Sequence, residues 1–423
     1  MEAAKRLYLN FYFFVMALYV FFNKGIAYSF LAEILWATGF ILLFLSRRSY
    51  HFVWDKRSML LLFFIIVSLI YIPIGMRNYP IIDVIRDSFI FQYGWFAFFV
   101  FLFYDMQKAV WKNIIRIYTW FPIFGLLNFF LINFIKDFDT VSLFGDVPFV
   151  LYKYGDMGVH LLISSLILLA YQNHRSVRFQ VVMALLILFN LLILTAYSRS
   201  GMLAYVLGVS LFVFFTKSEI IKSKIKLYLK YLPILLLIVI PIYASIKVQE
   251  NFQGRAVGVE QLKQNVGSFV GVSKDDNLDN NKIWRLVWWG KILDYSFSKE
   301  YFFQGKGLGL SLAESDDVMA DVEELRSPHN FHLNIMARFG VPIFCIWLFW
   351  VFLIFKPLFR KQLNEKEILI TIILLAFIIN ASFDVFLEGP MGAFPFWTWF
   401  GLLLISSAPT PLSQPNNLSQ AQA

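Results

Sequence analysis

Ser327-Pro-His-Asn-Phe-His-Leu333 is the stretch of this chain whose residue types point most directly to chemistry. Pro328 can initiate a helix, which places His329 and Asn330 in its first turn, with His329 and His332 three apart on one face. A neutral imidazole at a helix N-terminus resists protonation and can act as a general base toward a hydroxyl. A zinc site would need a third and a fourth ligand. Only His51, His160 and His174 remain, and the single cysteine, Cys345, lies in an apolar run, so no metal and no disulfide framework is expected.

Two arginines offer a complementary chemistry. Thr195-Ala-Tyr-Ser-Arg-Ser-Gly201 joins two apolar segments, and Arg199 between the Ser198 and Ser200 hydroxyls could grip a phosphate; it could equally snorkel to the membrane interface. In Asn281–Leu293, read as a helix, Arg285, Trp288, Trp289 and Ile292 share one side. The tryptophans suit a helix lying at headgroup level, where Arg285 could hold an anionic headgroup. Gly305-Lys-Gly-Leu-Gly309 could expose N–H groups to a phosphate, but it lacks the Lys-Ser or Lys-Thr ending of a nucleotide loop, and a turn returning to the membrane is the favoured reading. Asp384 and Glu388, four apart at a helix end, could face one cavity or be solvated end charges. Asp275–Asn280 lacks the glycine and glutamate of an EF-hand and reads as a flexible acidic loop. Arg338 falls about 13 Å along the helix from His329 and must face protein or water.

The elements that position these residues follow from composition. Apolar residues make up 59% and charged residues 15% of the 423, with 49 phenylalanines. That leaves too little polar surface for soluble domains and defines an all-α polytopic membrane protein. Twelve apolar segments suit membrane spans: 7–22, 25–46, 58–75, 89–104, 113–135, 156–171, 179–196, 200–215, 231–246, 331–355, 368–385 and 391–407. The first has a basic lead but no small-residue cleavage site, so it is expected to remain as a helix. Lys and Arg crowd alternate gaps, among them Arg47, Arg48, Lys56 and Arg57, then Lys217 to Lys230, so the net charge of +9 reads as topology rather than nucleic-acid binding. Both termini then lie in the cytoplasm. Nine spans with short loops occupy 1–246, a large outer loop 247–330, three spans 331–407, and an uncharged Pro/Ser/Gln-rich tail, expected to be disordered, 408–423. A loop as long as 247–330 implies a function there and at the helix ends facing it.

These pieces in this order resemble the bacterial O-antigen ligase and O-antigen polymerase superfamily of membrane glycosyltransferases. Ser198-Arg199-Ser200-Gly201 looks like its Ser-Arg-x-Gly turn. Arg285 to Trp289 followed by Gly305–Gly309 resembles its Arg-containing loop helix and Gly-x-Gly-x-Gly run. His329-Asn330-Phe-His-Leu333 with Gly340 looks like its His-Asn-x-x-Leu signature, and Ser382-Phe-Asp384 like a later polar spot. The resemblance covers the C-terminal half. It implies transfer of a glycan from a polyprenyl (undecaprenyl) pyrophosphate carrier to an acceptor hydroxyl at the periplasmic face of the bacterial inner membrane, without metal or other cofactor and with inversion. By the same resemblance Arg199 and Arg285 hold the pyrophosphate and His329 accepts the proton; Ser198, Ser200, Asn330, His332 and Asp384 are expected to bind substrate. Arg338 departs from the pattern, standing where relatives often carry an acidic residue.

The single dominant outer loop favours an O-antigen ligase acting on lipid A–core, in lipopolysaccharide biosynthesis, over a repeat-unit polymerase whose acceptor is another lipid-linked glycan. Membrane lipid is the remaining expected partner. A transporter of the lipid-linked glycan would claim Glu33 and Arg338 at mid-membrane, whereas the strongest cluster gathers at the outer rim. A non-catalytic scaffold would have no use for both arginines and the histidine.

Overall fold

The computed structural model describes residues 1–23, 30–47, 50–135, 142–144, 147–148, 153–172, 175–246, 276–318, 325–360 and 363–408, together with positions 258, 261, 263, 265 and 267. The segments 24–29, 136–141 and 409–423, with most of 247–275, lie outside them. The expected tail is therefore not described.

The described residues form helices α1 (Glu2–Phe22), α2 (Leu31–Leu45), α3 (Lys56–Gly75), α4 (Ile81–Gln92), α5 (Trp95–Phe99), α6 (Gln107–Phe134), α7 (Tyr154–Tyr171), α8 (Val177–Tyr197), α9 (Arg199–Phe215) and α10 (Glu219–Ser245). They continue with α11 (Asp276–Ser296), α12 (Leu312–Ser315), α13 (Phe331–Phe359), α14 (Glu365–Ala381) and α15 (Pro390–Ser407). A two-stranded ribbon, Ser142–Phe144 with Val147–Pro148, is the one sheet among them. Seven helical stretches are long and apolar enough to cross a bilayer, and α2 and α9 are shorter apolar helices. This is the build of a polytopic membrane protein.

Four expected spans take a different form. The segments 89–104 and 113–135 are not separate: α5, a 3₁₀ stretch at Val100–Met106 and α6 make one 40-residue run, bent where Phe103 leaves helical geometry. Phe96, Phe98, Phe99, Phe101 and Phe103 are all buried, so this run is held by protein on several sides. The segment 368–385 stops at Ala381. The segment 331–355 is broken at Gly340, whose φ of 81° and ψ of 173° are essentially confined to glycine.

That break is built from sequence. Pro342 has no N–H, so the Arg338 carbonyl loses its helical donor. Val341 turns its N–H instead to Phe302 O at 2.8 Å. The glycine run before α13 repairs the damage: Lys306 N donates to Ala337 O at 2.7 Å and Gly307 N to Arg338 O at 3.0 Å. Gly305, Gly307 and Gly309 all have positive φ. A Cβ on Gly305 would come within 2.4 Å of the Arg338 backbone. The glycine run is thus the turn that fastens the loop to the broken helix, and its N–H groups are spent on protein. Gly340→Ala is expected to lower the unfolding midpoint in detergent, by strain and by a Cβ 2.6 Å from Phe302 O, together about 1–3 kcal/mol. A wild-type midpoint by scanning fluorimetry would contradict this reading of the break.

Two cores result. The main one joins the helices. A second, around Trp288, Ile292, Leu312, Met336, Ala337 and Val341, fixes α11 and α12 against the N-terminal part of α13. Residues 276–280, expected as flexible loop, are the first turns of α11. The tryptophan face of α11 points into this protein core rather than to headgroups: Trp288 is fully buried and its indole N–H donates to Asp316 Oδ2 at 2.6 Å. The opposite face, with Ile283, Leu286, Val287 and Leu293, is the exposed one.

Candidate active site

Close backbone approach brings the first pieces together. Gly158 of α7 lies against Gly201 of α9, where a Cβ would come 2.4 Å from the Gly201 carbonyl. Small residues allow such contact between helices in a membrane. It sets the Ser198–Gly201 turn over the start of α7. Ser198 caps α9, its Oγ accepting from Gly201 N at 3.1 Å and lying 3.2 Å from Ser200 Oγ. Both expected serines therefore shape the turn that carries Arg199.

Residues Ser382–Gly389, between α14 and α15, supply the centre. The Lys153 ammonium, at the N-cap of α7, is ion-paired with Asp384 Oδ1, and His329 Nδ1 lies 3.8 Å from the same oxygen. Arg285 donates from Nη1 to Phe383 O at 3.1 Å and sits 5.3 Å over the Trp284 ring. The Trp284 ring in turn stands edge-on to His329, centroids 5.8 Å apart. Arg199 is near enough to Arg285 that the two charges disfavour each other. Asp156, fully buried, accepts from Asn380 Nδ2 at 3.3 Å; with the Asn23 amide turned to satisfy both its ends, that side chain donates to Asp156 Oδ2 at 3.2 Å.

Charge sets the states. Burial pushes the Asp384 carboxyl up, but Lys153 and His329 beside it, with a hydrogen bond from Val385 N, hold it below the ordinary carboxylate range. Burial would depress the Lys153 ammonium, yet Asp384 and Asp156 keep it above its usual value. Burial lowers Arg285, and Arg199 adds to this. The Arg285 Nε is buried with no hydrogen-bond acceptor. An arriving anion would relieve both penalties.

His329 stands just outside α13 rather than in its first turn. The helix begins at Phe331 because Asn330 is its N-cap, with Oδ1 accepting from His332 N and Leu333 N, both at 3.1 Å. His329 has a φ of 51°, the left-handed region, which costs a non-glycine residue of order 1 kcal/mol or more. Pro328 is secured by Trp289 Nε1, which donates to its carbonyl at 2.8 Å. His329 and His332 consequently do not share a face. Trp347 Nε1 donates to His332 Nδ1 at 2.9 Å, so the proton sits on Nε2, which meets Ser382 Oγ at 3.1 Å. His332 and Asn330, expected to meet substrate, have these side chains committed to shaping the turns that carry Asp384 and His329.

Arg338 belongs to a separate network. It pairs with Asp87 Oδ2 of α4 at 2.8 Å, with side-chain exposures of 3% and 7%, and donates to Asn334 Oδ1, Gly307 O and Leu310 O. Asp87 also accepts from Gly309 N at 2.9 Å. Glu388, contrary to a shared cavity with Asp384, turns to this side. Burial pushes its carboxyl up to about 7, against hydrogen bonds from Ser327 and Asn334 and the Arg338 charge. Removing one member of such a buried pair, as in Arg338→Met, is expected to cost about 3–5 kcal/mol. Unfolding in detergent checks this, and an unchanged midpoint would mean the pair contributes little. Glu33, which a transporter reading would join to Arg338, is bound instead by Tyr93 Oη at 2.7 Å.

Lys153 and Asp156 are the site residues that the sequence did not reveal. Among the described residues no group of three or more His, Cys, Asp or Glu could hold a metal ion.

A many-helix membrane protein with a cation-rich centre where α7, α9, α11 and the segment after α14 meet is the class these features define. Residues 181–348 match the family model described as Wzy_C, O-antigen ligase, so that region of the chain is similar to the O-antigen ligases. The match includes Arg199, Arg285 and His329 and stops short of Asp384. No curated protein matches the chain.

Proposed function

We propose that this protein is an inverting, metal-independent glycosyltransferase that moves a glycan from a polyprenyl pyrophosphate carrier to an acceptor hydroxyl at the periplasmic face of the inner membrane. The observation that carries the reading is the approach of Arg285 and His329 to Asp384, with Arg199 near enough to Arg285 to oppose its charge, from four separate stretches of chain. Arg199 and Arg285 hold the diphosphate and meet the negative charge that grows as it leaves. The acceptor oxygen attacks the anomeric carbon from the opposite face and its proton passes to His329. The bond from that carbon to the phosphate oxygen breaks with its electron pair, releasing polyprenyl pyrophosphate. Asp384 faces Nδ1 and steadies the imidazolium, leaving Nε2 as the basic nitrogen.

The excess of Lys and Arg in alternate gaps supports cytoplasmic termini and this centre outside. The dominant outer loop favours ligation to lipid A–core. Deleting the gene in its native bacterium and profiling glycans by gel and mass spectrometry tests this. Polymer accumulating on the carrier, with a bare surface acceptor, is the expected result. Acceptor bearing single repeat units would make the protein a polymerase, and an unchanged profile would remove the catalytic reading.

A further inference from the structure

We propose that Lys153 is a third cation of the diphosphate site, and that it passes Asp384 to His329 when the diphosphate binds. The inference rests on the glycosyl-transfer reading of the same site. Its starting point is competition for one atom. Lys153 Nζ and His329 Nδ1 both address Asp384 Oδ1, the first in direct contact and the second 3.8 Å away, too far for a hydrogen bond. While Lys153 holds that oxygen, His329 has only a weak electrostatic partner there.

Lys153 is also placed to leave. Its side chain is 33% exposed against 11% for Asp384, so solvent reaches the lysine more than the carboxylate it holds. A lysine is a point charge on a flexible stem and changes partners without the planar register an arginine needs. The serine turn and the carboxylate meet at the residue after next: a Cβ on Gly155 would come within 3.2 Å of Ser198 Oγ and 3.9 Å of Asp384 Oδ2, so the turn that carries Arg199 packs closely beside the Lys153–Asp384 pair.

The charges around His329 favour the exchange. Those facing the pocket are Lys153 and Asp156 from α7, Arg199 from α9, Arg285 from α11 and Asp384 after α14. Glu388, on the same segment as Asp384, faces Ser327, Asn334 and Arg338 instead. Three cations meet two carboxylates, and Arg285 is repelled by both Arg199 and Lys153. A diphosphate supplies the missing negative charge. Once Lys153 turns to it, Asp384 pairs with the Nδ1–H of His329, and imidazole basicity rises as the acceptor's proton is due to be taken.

The test compares wild type, Lys153→Met, Lys153→Gln, Lys153→Arg and His329→Ala, each purified in lipid nanodiscs. Binding is titrated with undecaprenyl pyrophosphate, and transfer is followed across pH with lipid-linked glycan and acceptor extracted from the native strain. Loss of the Lys153 charge should weaken undecaprenyl pyrophosphate binding about 10- to 100-fold. It should also move the acid limb of kcat/KM to higher pH by about one unit, because Asp384 then faces His329 alone and raises its pKa. Lys153→Arg should restore both. Lys153→Gln keeps a hydrogen bond to Asp384 without the charge, which separates charge from folding. Unchanged binding and an unmoved acid limb in Met and Gln variants, with transfer abolished by His329→Ala, would overturn the Lys153 proposal alone. Wild-type transfer by His329→Ala would overturn the underlying reading.

Discussion

His329→Ala is expected to lower transfer about 10²–10⁴-fold, the span of a positioned general base, while binding of the lipid-linked donor changes little. In the proposed mechanism the donor's charge is met by arginines from α9 and α11, not by the imidazole, so KM for donor should hold and kcat should fall. Folding should survive the change. The Asn330 cap and the Trp289 bond to the Pro328 carbonyl keep the turn in place without the imidazole, and an alanine at a φ of 51° keeps the strain the histidine already bears. His329→Gln should not rescue, since an amide cannot take the proton. The measurement is single-turnover transfer in nanodiscs from extracted lipid-linked glycan. Retention of more than a tenth of wild-type kcat would remove His329 as the base.

Arg285→Ala should have the second largest effect, about 10²–10³-fold in kcat/KM for the donor, comparable to losing one electrostatic stabiliser of a developing anion. Part of this loss should appear as weaker binding of undecaprenyl pyrophosphate. Arg285→Lys should recover little. The guanidinium lies over Trp284 while Nη1 donates to Phe383 O and Nε waits without an acceptor, and an ammonium reproduces neither the stacking nor the fork of donors. Titration with undecaprenyl pyrophosphate and donor kinetics separate the two components. A lysine variant with wild-type kcat/KM would reduce Arg285 to a simple charge.

The residues that stand out in sequence are those whose chemistry contradicts their surroundings. Charged and imidazole groups at the ends of apolar segments are costly and few, so Arg199, Arg285, His329 and Asp384 could be picked out singly. Lys153 could not, because as one cation in an outer gap it resembles any other, and its meaning lies in a carboxylate 231 positions away. Asp156 is hidden similarly, its partner Asn380 being an ordinary polar residue inside α14. The start of α13 was open to a better reading. Pro328 suggested the first turn, yet Asn330 is the stronger N-cap, and shifting the start to Phe331 parts His329 from His332.

The fold shows the same division. Apolarity gives the helices, and periodicity gives the shared side of Arg285, Trp288, Trp289 and Ile292, but not what that side faces. Membrane interface and protein core both accept tryptophan, and only the packing of α11 on α13 decides between them. The Gly340-Val-Pro342 break carried a local signal in Pro342. Its repair by Gly305–Gly309 is a long-range backbone exchange that no periodicity encodes.

The central claim is that the diphosphate of the donor sits between Arg199 and Arg285, beside His329. The most direct measurement is a cryo-electron microscopy map of the wild-type protein in nanodiscs with undecaprenyl pyrophosphate bound. Both phosphates are expected in that space, with Lys153 turned toward them and Asp384 drawn to His329. Phosphates resting on the Gly305–Gly309 turn or at Arg338, with Arg199 and Arg285 untouched, would contradict it.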